Sequence, residues 1–343
     1  MIDNYLLHCH YSGAVRNSTL ISFIQLYKLN IIIKQKKVYL TNNQLSFDGQ
    51  NLLPKIKQIQ EILNKTKDPF NDIGQLWFHL IKHYKFIYHY DRLLILDMIE
   101  SNIKHIELRL TLGSHFYKPQ NFIPIEQEIR ILYGLKSLYQ RNQKSMVIIC
   151  QYSKCKKNIS KYFIDIINIL VKYPHFLEII KAFDLVGYED LCYSLDYFKN
   201  QIIEIKQKLE SHHLNIPFVF HAGEIENPIQ KSLNNILFAL KYGSNRIAHG
   251  IQILYSPNIL KEIKKKKILL EVCPISNLKL RHIKDPTIYY KLYQQGIRLS
   301  INTDDPNKLV DCTIEDNYNL LLNNGFQKKD LRKIIKWSKD YSL

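Results

Sequence analysis

The amino-acid sequence predicts an α/β protein, a (β/α)8 TIM-type barrel with additional helices after the first strand, and three observations carry that prediction. Short apolar runs alternate with longer amphipathic stretches along the whole chain, the rhythm of parallel strands separated by helices. Eight runs qualify as strands, the number that closes a barrel. Several of them end in ionisable residues, and a barrel places its chemistry at the C-terminal ends of its strands.

The predicted strands are Tyr5–His10, His105–Leu110, Met146–Gln151, Ala182–Gly187, Pro217–His221, Arg246–His249, Ile268–Val272 and Ile297–Asn302. In the first, His8 and His10 lie two residues apart, so both side chains point to one face. The interval Thr19–Arg92 is long for one strand-to-strand connection and is expected to hold several helices. Within it, WFHLIKHYKFIYHY carries His79 and His83 at the i, i+4 spacing of a metal pair, but no Glu follows His79 as a metalloprotease helix requires. The stretch reads as an aromatic-rich helix packed over the barrel. Later helices include IIEIKQKLE after Asn200 and ILFALKYG after Asn235, the second ending at Gly243. His212 and His213 fall in a loop and are expected on the surface. No repeat, low-complexity tract or linker interrupts the rhythm, and 343 residues suit one barrel domain spanning 1–343.

A net charge of +17, from 48 Lys and Arg against 31 Asp and Glu, raises the question of an anionic partner. The basic residues are scattered, and the densest run, Lys264–Lys267, falls at a helix C-terminus, where cations favour the macrodipole and stay solvated. Neither polymeric nucleic acid nor membrane is expected as a partner. The six cysteines contain no C-x-x-C pair and read as reduced and mostly structural. Seven residues precede His8, too few for a secretory signal, and no apolar stretch is long enough to cross a bilayer. A soluble, cytoplasmic monomer is the expectation.

The segments FVFHAGE, RIAHG, LEVCPISN and SINTDDP, between Phe218 and Pro306, each end a β-rich run in polar or ionisable residues. Catalytic zinc takes imidazole and carboxylate ligands and keeps a position open for water. His8, His10 and His221 offer nitrogens from strand ends, and Asp304 offers an oxygen. Glu224 lies three residues past His221, placed to move protons in the same pocket, and His249 ends its own strand. Asp305 must diverge from Asp304, which leaves one carboxylate for the metal and one for a substrate. A binuclear centre would want a bridging Lys or carboxylate at the tip of the fourth strand, where AFDLVG offers only Asp184 in mid-strand. The other zinc deaminase design, with H-x-E and P-C-x-x-C, is absent from the sequence.

HCHYSGAVRNSTL, HIELRL, FDLVGYED, FVFHAGE, NRIAHG, LEVCPISN and SINTDDP resemble, in order and position, the motifs of the adenosine deaminase family of purine aminohydrolases. FDLVGYED and EVCPISN are most similar to its branch of adenosine deaminase-related growth factors. The resemblance runs from His8 to near Trp337. It implies a (β/α)8 barrel with one zinc per chain, held by His8, His10, His221 and Asp304. By the same likeness Glu224 gives a proton to purine N1, His249 orients and stabilises the attacking hydroxide, Asp305 binds the base at N7 and the backbone of Gly187 meets it at N3. Zinc lowers the pKa of its water to roughly 7, which makes that nucleophile accessible near neutral pH.

Two departures qualify the likeness. Deaminases of free adenosine tend to carry an acid just after the second histidine, suited to the ribose, whereas Tyr11 and Ser12 stand here. Ser12 is thus expected at the ribose end, without the repulsion a carboxylate would exert on a 5′-phosphate. The secretory signal and N-terminal dimerisation domain of the growth-factor branch do not appear in this sequence, so secretion is not expected. The expected function is zinc-dependent hydrolysis of adenosine or deoxyadenosine to inosine or deoxyinosine and ammonia. The alternatives are deamination of AMP or N6-substituted AMP, and a non-catalytic nucleoside-binding barrel.

Overall fold

In the computed structural model, residues 3–118, 120–280 and 282–343 are described. The barrel strands are, in chain order, β1 (Asn4–His10), β2 (Ile103–Leu110), β3 (Ser145–Ser153), β4 (Ile180–Val186), β5 (His221–Ala222), β6 (Arg246–His249), β7 (Leu269–Val272) and β8 (Arg298–Ile301). They pair in parallel and in sequential order as two four-stranded sheets. Parallel bridges Cys9–Asp304 and Phe183–Phe218 stitch the two sheets together at both seams. Each predicted strand thus has its counterpart. The fifth is displaced: it is a strand only over His221–Ala222, and the Phe218 bridge continues its line towards β4.

β3 reads as an unbroken apolar run from Met146 to Cys150, the mark of a strand covered on both faces. In β2 every residue but Lys104 is buried. Outside the ring, Ile, Leu and Phe side chains pack against the helices in one large apolar cluster. Inside, Ile149, Ala182 and Val219 form a small apolar layer against which Leu343 packs. Above that layer the interior is ionic rather than aliphatic. Arg109 bonds Asp184 and Glu271, and Arg246 bonds Glu271 and Glu107, all five side chains being fully buried or nearly so.

Between β1 and β2 lie the added helices Asn17–Leu26, Leu52–Lys65, Pro69–Ile81 and Ile87–Glu100. WFHLIKHYKFIYHY is not one helix: the first part ends at Ile81, a tight turn spans His83–Phe86, and a second helix starts at Ile87. The ring of His79 stacks on Tyr39 at 4.2 Å. Tyr39 belongs to an antiparallel hairpin, Ile31–Lys34 with Lys37–Leu40, that the sequence did not signal. Its two-residue turn places Gln35 and Lys36 at φ of 48° and 58°. Asn-Gly or Asp-Gly would be the recognisable residues for such a turn.

The helix Ile229–Tyr242 stops at Gly243 as expected, but not by a left-handed cap, since Gly243 has φ −87°. A Cβ there would lie 2.6 Å from the carbonyl oxygen of Ala239. Lys264–Lys267 end their helix in solvent. His213 is exposed and His212 half-buried, both beyond the end of the helix Lys199–Ser211. The reading of six reduced cysteines needs correction. Cys155 and Cys192 form a disulfide, with Cα atoms 4.5 Å apart, while Cys9, Cys150, Cys273 and Cys312 are free and buried. The pair is separated by 37 residues and meets only because the segments following the neighbouring strands β3 and β4 lie side by side. No described helix is long and apolar enough to cross a membrane.

Candidate metal centre and active site

The end of β1 carries His8, fully buried, and His10, at the edge of a cavity. Their rings are 5.4 Å apart, and the ring of His221, at the start of β5, lies 4.7 Å from His8 and 5.3 Å from His10. Asp304 brings Oδ1 to 3.3 Å from Nε2 of His10 and 3.6 Å from Nε2 of His8. Among the described residues, donor atoms within 4.8 Å of one another occur in the groups His8, His10, Asp304 and His8, His221, His249, and also Glu224, His249, Asp304. His249 therefore lies as near the centre as the ligand candidates.

The surroundings fit a cation. Both ring nitrogens of His8 are buried without a hydrogen-bond partner, the state of an imidazole whose partner is an ion. Burial, then Arg109 and the other histidines, push the pKa of His8 and of His221 well below the usual histidine value. They are thus neutral, the form that binds zinc. Burial and neighbouring Asp305 push Asp304 up to about 6, a cost that a bound cation relieves.

His10 and His221 are also oriented from behind. Nδ1 of His10 lies 2.8 Å from Oε1 of Gln151, and Nδ1 of His221 lies 2.7 Å from Oδ2 of Asp184. Partners of this kind fix the tautomer and ring orientation of metal-binding histidines. Glu271 lies 3.3 Å from Nδ1 of His8 without a hydrogen bond between them. Asp184 is the mid-strand carboxylate that offered no bridge, and it supports His221 while Arg109 holds it in turn at 2.8 Å.

Glu224 sits in the same cavity, its Oε1 3.5 Å from Nε2 of His249. Burial raises its carboxyl, but His249, His282 and His221 outweigh that and hold it well below the carboxylate range. The loop HAGE is tied down by Glu189, whose carboxylate accepts from the backbone N–H groups of Gly223, Glu224 and Ile225 at 2.9–3.3 Å. His249 and Asp304 both have left-handed backbones, with φ of 63° and 65°. Non-glycine residues adopt that conformation at a cost of roughly 1–2 kcal/mol, and such strain concentrates at functional sites.

The cavity measures about 190 Å³ and is lined by His10, Ser12, Gly187, His221, Glu224, His249, Asp304 and Asp305, with Phe70, Tyr188, His282 and Lys308 among its other walls. Of the nine predicted site residues, all but His8, which lies fully buried beside it, border this space. Tyr11 does not. It is buried, and its hydroxyl donates to Asp91 at 2.6 Å, because a 3-10 turn begins at Tyr11 and ends the strand alternation. Gly13 is required here, since a Cβ would lie 1.9 Å from Oδ1 of Asp305. Sequence reasoning missed Lys308, whose Nζ is 2.9 Å from Oδ1 of Asp305 and 4.7 Å from the ring centroid of Phe70. It also missed His282 and Glu189. Glu189 was within reach, inside FDLVGYED; the other two come from loops with no periodicity. A larger groove of about 810 Å³ lies elsewhere, among Lys199, Lys231 and Lys241, and contains none of the site residues.

Residues 94–342 match the family model described as adenosine deaminase. The chain belongs to the adenosine deaminase family. Similar members include an adenosine deaminase of Phlebotomus duboscqi, 27% identical over 70% of this chain and 48% of that one, and one of Plasmodium gallinaceum, 41% identical over 37% and 36%. The adenosine deaminase 2 of Dictyostelium discoideum is 29% identical over 61% of this chain and 39% of its own length. The chain thus spans about half or less of the length of these relatives. Among solved structures, the Arabidopsis thaliana N6-methyl-AMP deaminase superposes over 99% of this chain and 91% of its own with a TM-score of 0.69 and 17% identity. A zinc-bound amidohydrolase of Burkholderia ambifaria does so over 99% and 85%, with a TM-score of 0.66 and 17% identity. At that identity the likeness establishes the fold, the TIM-type barrel. His8, His10 and Ser12 lie outside the matched span, and the folded chain brings them to the deaminase motifs.

Proposed function

We propose that this adenosine deaminase family member is a zinc-dependent aminohydrolase that converts adenosine or deoxyadenosine to the inosine product and ammonia. The observation that carries this reading is the convergence, in one cavity, of His10, His221 and Asp304 with Glu224 and His249, directly above buried His8. His8, His10, His221 and Asp304 hold one zinc per chain. When bound, zinc supplies a nucleophilic water near neutral pH. Glu224, ionised beside His249 and His282 in the free site, takes up a proton as the nucleophile is activated and delivers it to N1 of the purine, which draws electrons into the ring as C6 is attacked. His249, 3.5 Å from Glu224, orients the nucleophile and takes up its proton. Asp305 and the backbone of Gly187 fix the base.

One observation favours a second reading, deamination of AMP or N6-substituted AMP. The cavity that Ser12 lines also carries a lysine, Lys308, which pairs with Asp305. The Arabidopsis structure at similar fold distance is named as an N6-methyl-AMP deaminase, which supports the same reading.

The test is zinc-loaded protein incubated with adenosine, deoxyadenosine, AMP and N6-methyl-AMP, followed by the ultraviolet change on loss of the 6-substituent. Turnover of nucleosides alone supports the first reading, and turnover of the phosphorylated substrates the second. Binding of zinc and nucleoside with no turnover leaves a non-catalytic nucleoside-binding barrel.

A further inference from the structure

Glu189 is buried, yet its carboxylate holds five partners. Three are the consecutive backbone N–H groups of Gly223, Glu224 and Ile225. The amide of Asn235 donates to Oε1 at 2.7 Å, and the hydroxyl of Ser232 lies 2.7 Å from Oε2. Burial raises the carboxyl, but buried Lys154 and these hydrogen bonds outweigh it and keep Glu189 below the usual carboxylate range. It is therefore ionised and acceptor-only, which suits a ring of donors. The carbonyl of Glu224 in turn accepts from the amide of Gln252 at 3.3 Å. The turn itself has one close-packed shape, since Gly223 has φ 70° and a Cβ there would run into Ile236.

Glu189 lies two residues past Gly187. That glycine has φ 120°, and a Cβ on it would lie 3.1 Å from Sγ of Cys192. The N–H of Cys192 donates to the carbonyl of Tyr188 at 2.9 Å, and that of Lys154 to the carbonyl of Val186 at 2.7 Å, so the segment is fixed on both sides of Gly187. Glu189 thus joins directly the two segments proposed to meet the base, Gly187 at N3 and Glu224 at N1. N1 and N3 flank C2 in one aromatic ring, so covalent bonds set their separation. A protein that serves both must hold its own two groups at a matching separation, and a misplacement of about 1 Å can cost on the order of 10²-fold in rate.

We propose that Glu189 is a positioning residue, acting through the backbone of Glu224, which fixes the Glu224 carboxyl relative to the Gly187 backbone so that one purine meets both. The inference rests on the deaminase reading of the site. Glu189 is not among the residues that line the cavity, so its effect passes through the loop it holds. Glu189→Gln keeps the size of the side chain, but it leaves one acceptor oxygen where two serve and turns an NH2 group towards N–H donors. The Glu224 loop must then shift or lose a bond, while the Gly187 segment keeps its own anchors.

The experiment compares the zinc-loaded full chain with Glu189→Gln, Ser232→Ala, Glu224→Gln and the double variant Glu189→Gln with Glu224→Gln, on the purine that wild type turns over best. The readouts are kcat, KM, zinc content and the inhibition constant of the 1-deaza analogue of that substrate, in which C–H replaces N1 and the contact at N3 remains. Positioning predicts that Glu189→Gln lowers kcat by about tenfold or more, with zinc content and analogue affinity unchanged. In the Glu224→Gln background the same substitution should cost little more, because residues that act as a unit are not additive. Ser232→Ala removes one partner of the carboxylate and keeps its charge. It should show the same split to a smaller degree, and it decides the matter if Glu189→Gln does not fold. Unchanged kcat in Glu189→Gln, or in Ser232→Ala where that variant has to stand in, overturns the positioning role alone. Analogue affinity lost in step with kcat, or a full further loss in the double variant, also overturns it and makes Glu189 a structural prop of the whole site. A wild type that deaminates no purine overturns the deaminase reading and the positioning role with it.

Discussion

The Nδ1 atom of His221 lies 2.7 Å from Oδ2 of Asp184, and the same oxygen accepts from Nε of Arg109 at 2.8 Å. A single carboxylate oxygen thus joins a candidate metal ligand to the ionic interior of the barrel. Asp184→Asn keeps the shape and removes the charge. We expect its zinc affinity to fall by about 10–100-fold, the usual effect of losing such a support. His221→Ala should lose the metal outright. Elemental analysis and chelator competition check both, and two metals per wild-type chain, or full zinc content in His221→Ala, would contradict a mononuclear site.

Arg109 neutralises Asp184 and Glu271 where no water reaches them. Removing one partner of a buried ionic group leaves charge uncompensated and costs about 3–5 kcal/mol. Arg109→Met should therefore lower unfolding free energy by roughly that amount in urea denaturation. A loss below about 1 kcal/mol would mean that the two carboxylates simply take up protons.

Glu224→Gln should keep zinc, since Glu224 is proposed to move protons rather than to hold the ion. It should lose a factor on the order of 10² or more in kcat, the contribution of a positioned general acid. Near-normal turnover with zinc intact would assign the proton to another group.

The barrel was legible because burial on both faces leaves its mark on neighbouring residues: a run such as MVIIC in β3 offers no polar face to water. His8, His10, His221, Glu224, His249, Asp304 and Asp305 were legible for a related reason, since polar residues directly after such runs have few structural uses. What escaped depended on long-range or irregular geometry. Glu107 and Arg246 read as ordinary strand residues and meet only across the barrel interior. The Cys155–Cys192 pair needs the adjacency of β3 and β4. Tyr11 was placed on the ribose side with Ser12, but the strand ends before it and the side chain turns to Asp91.

Two glycines test whether close approach, rather than glycine as such, matters. A Cβ on Gly13 would lie within 2.7 Å of three atoms of Asp305, whereas one on Gly134, in the helix Ile125–Arg141, meets nothing within 4 Å. Gly13→Ala should displace Asp305, costing about 1–3 kcal/mol of stability as overpacking does, and raise KM for any purine. Gly134→Ala should stabilise by about 0.5–1 kcal/mol, because glycine is costly in a helix interior. Thermal melts and steady-state kinetics on the two variants read this out, and equal effects of the two substitutions would reject the packing argument.

The last prediction concerns phosphate tolerance. Ser12 and Lys308 both line the cavity that holds Asp305, so charge introduced at Ser12 acts on a substrate whose base occupies that cavity. A carboxylate placed 4 Å from a phosphate in a partly wet cleft costs about 4 kcal/mol per pair of unit charges at an effective dielectric of 20. Ser12→Asp should therefore reduce kcat/KM for AMP by orders of magnitude and for adenosine much less. Lys308→Met removes a cation instead and should also act mainly on AMP, but it frees Asp305 from its 2.9 Å ion pair and so should lower adenosine turnover as well. The two substitutions thus separate repulsion at the ribose end from the pairing of Asp305. If wild type turns over adenosine briskly and refuses AMP, neither the neutral Ser12 nor Lys308 governs phosphate tolerance, and the segment carrying Phe70, which packs over the Lys308 ammonium at 4.7 Å, becomes the element to vary.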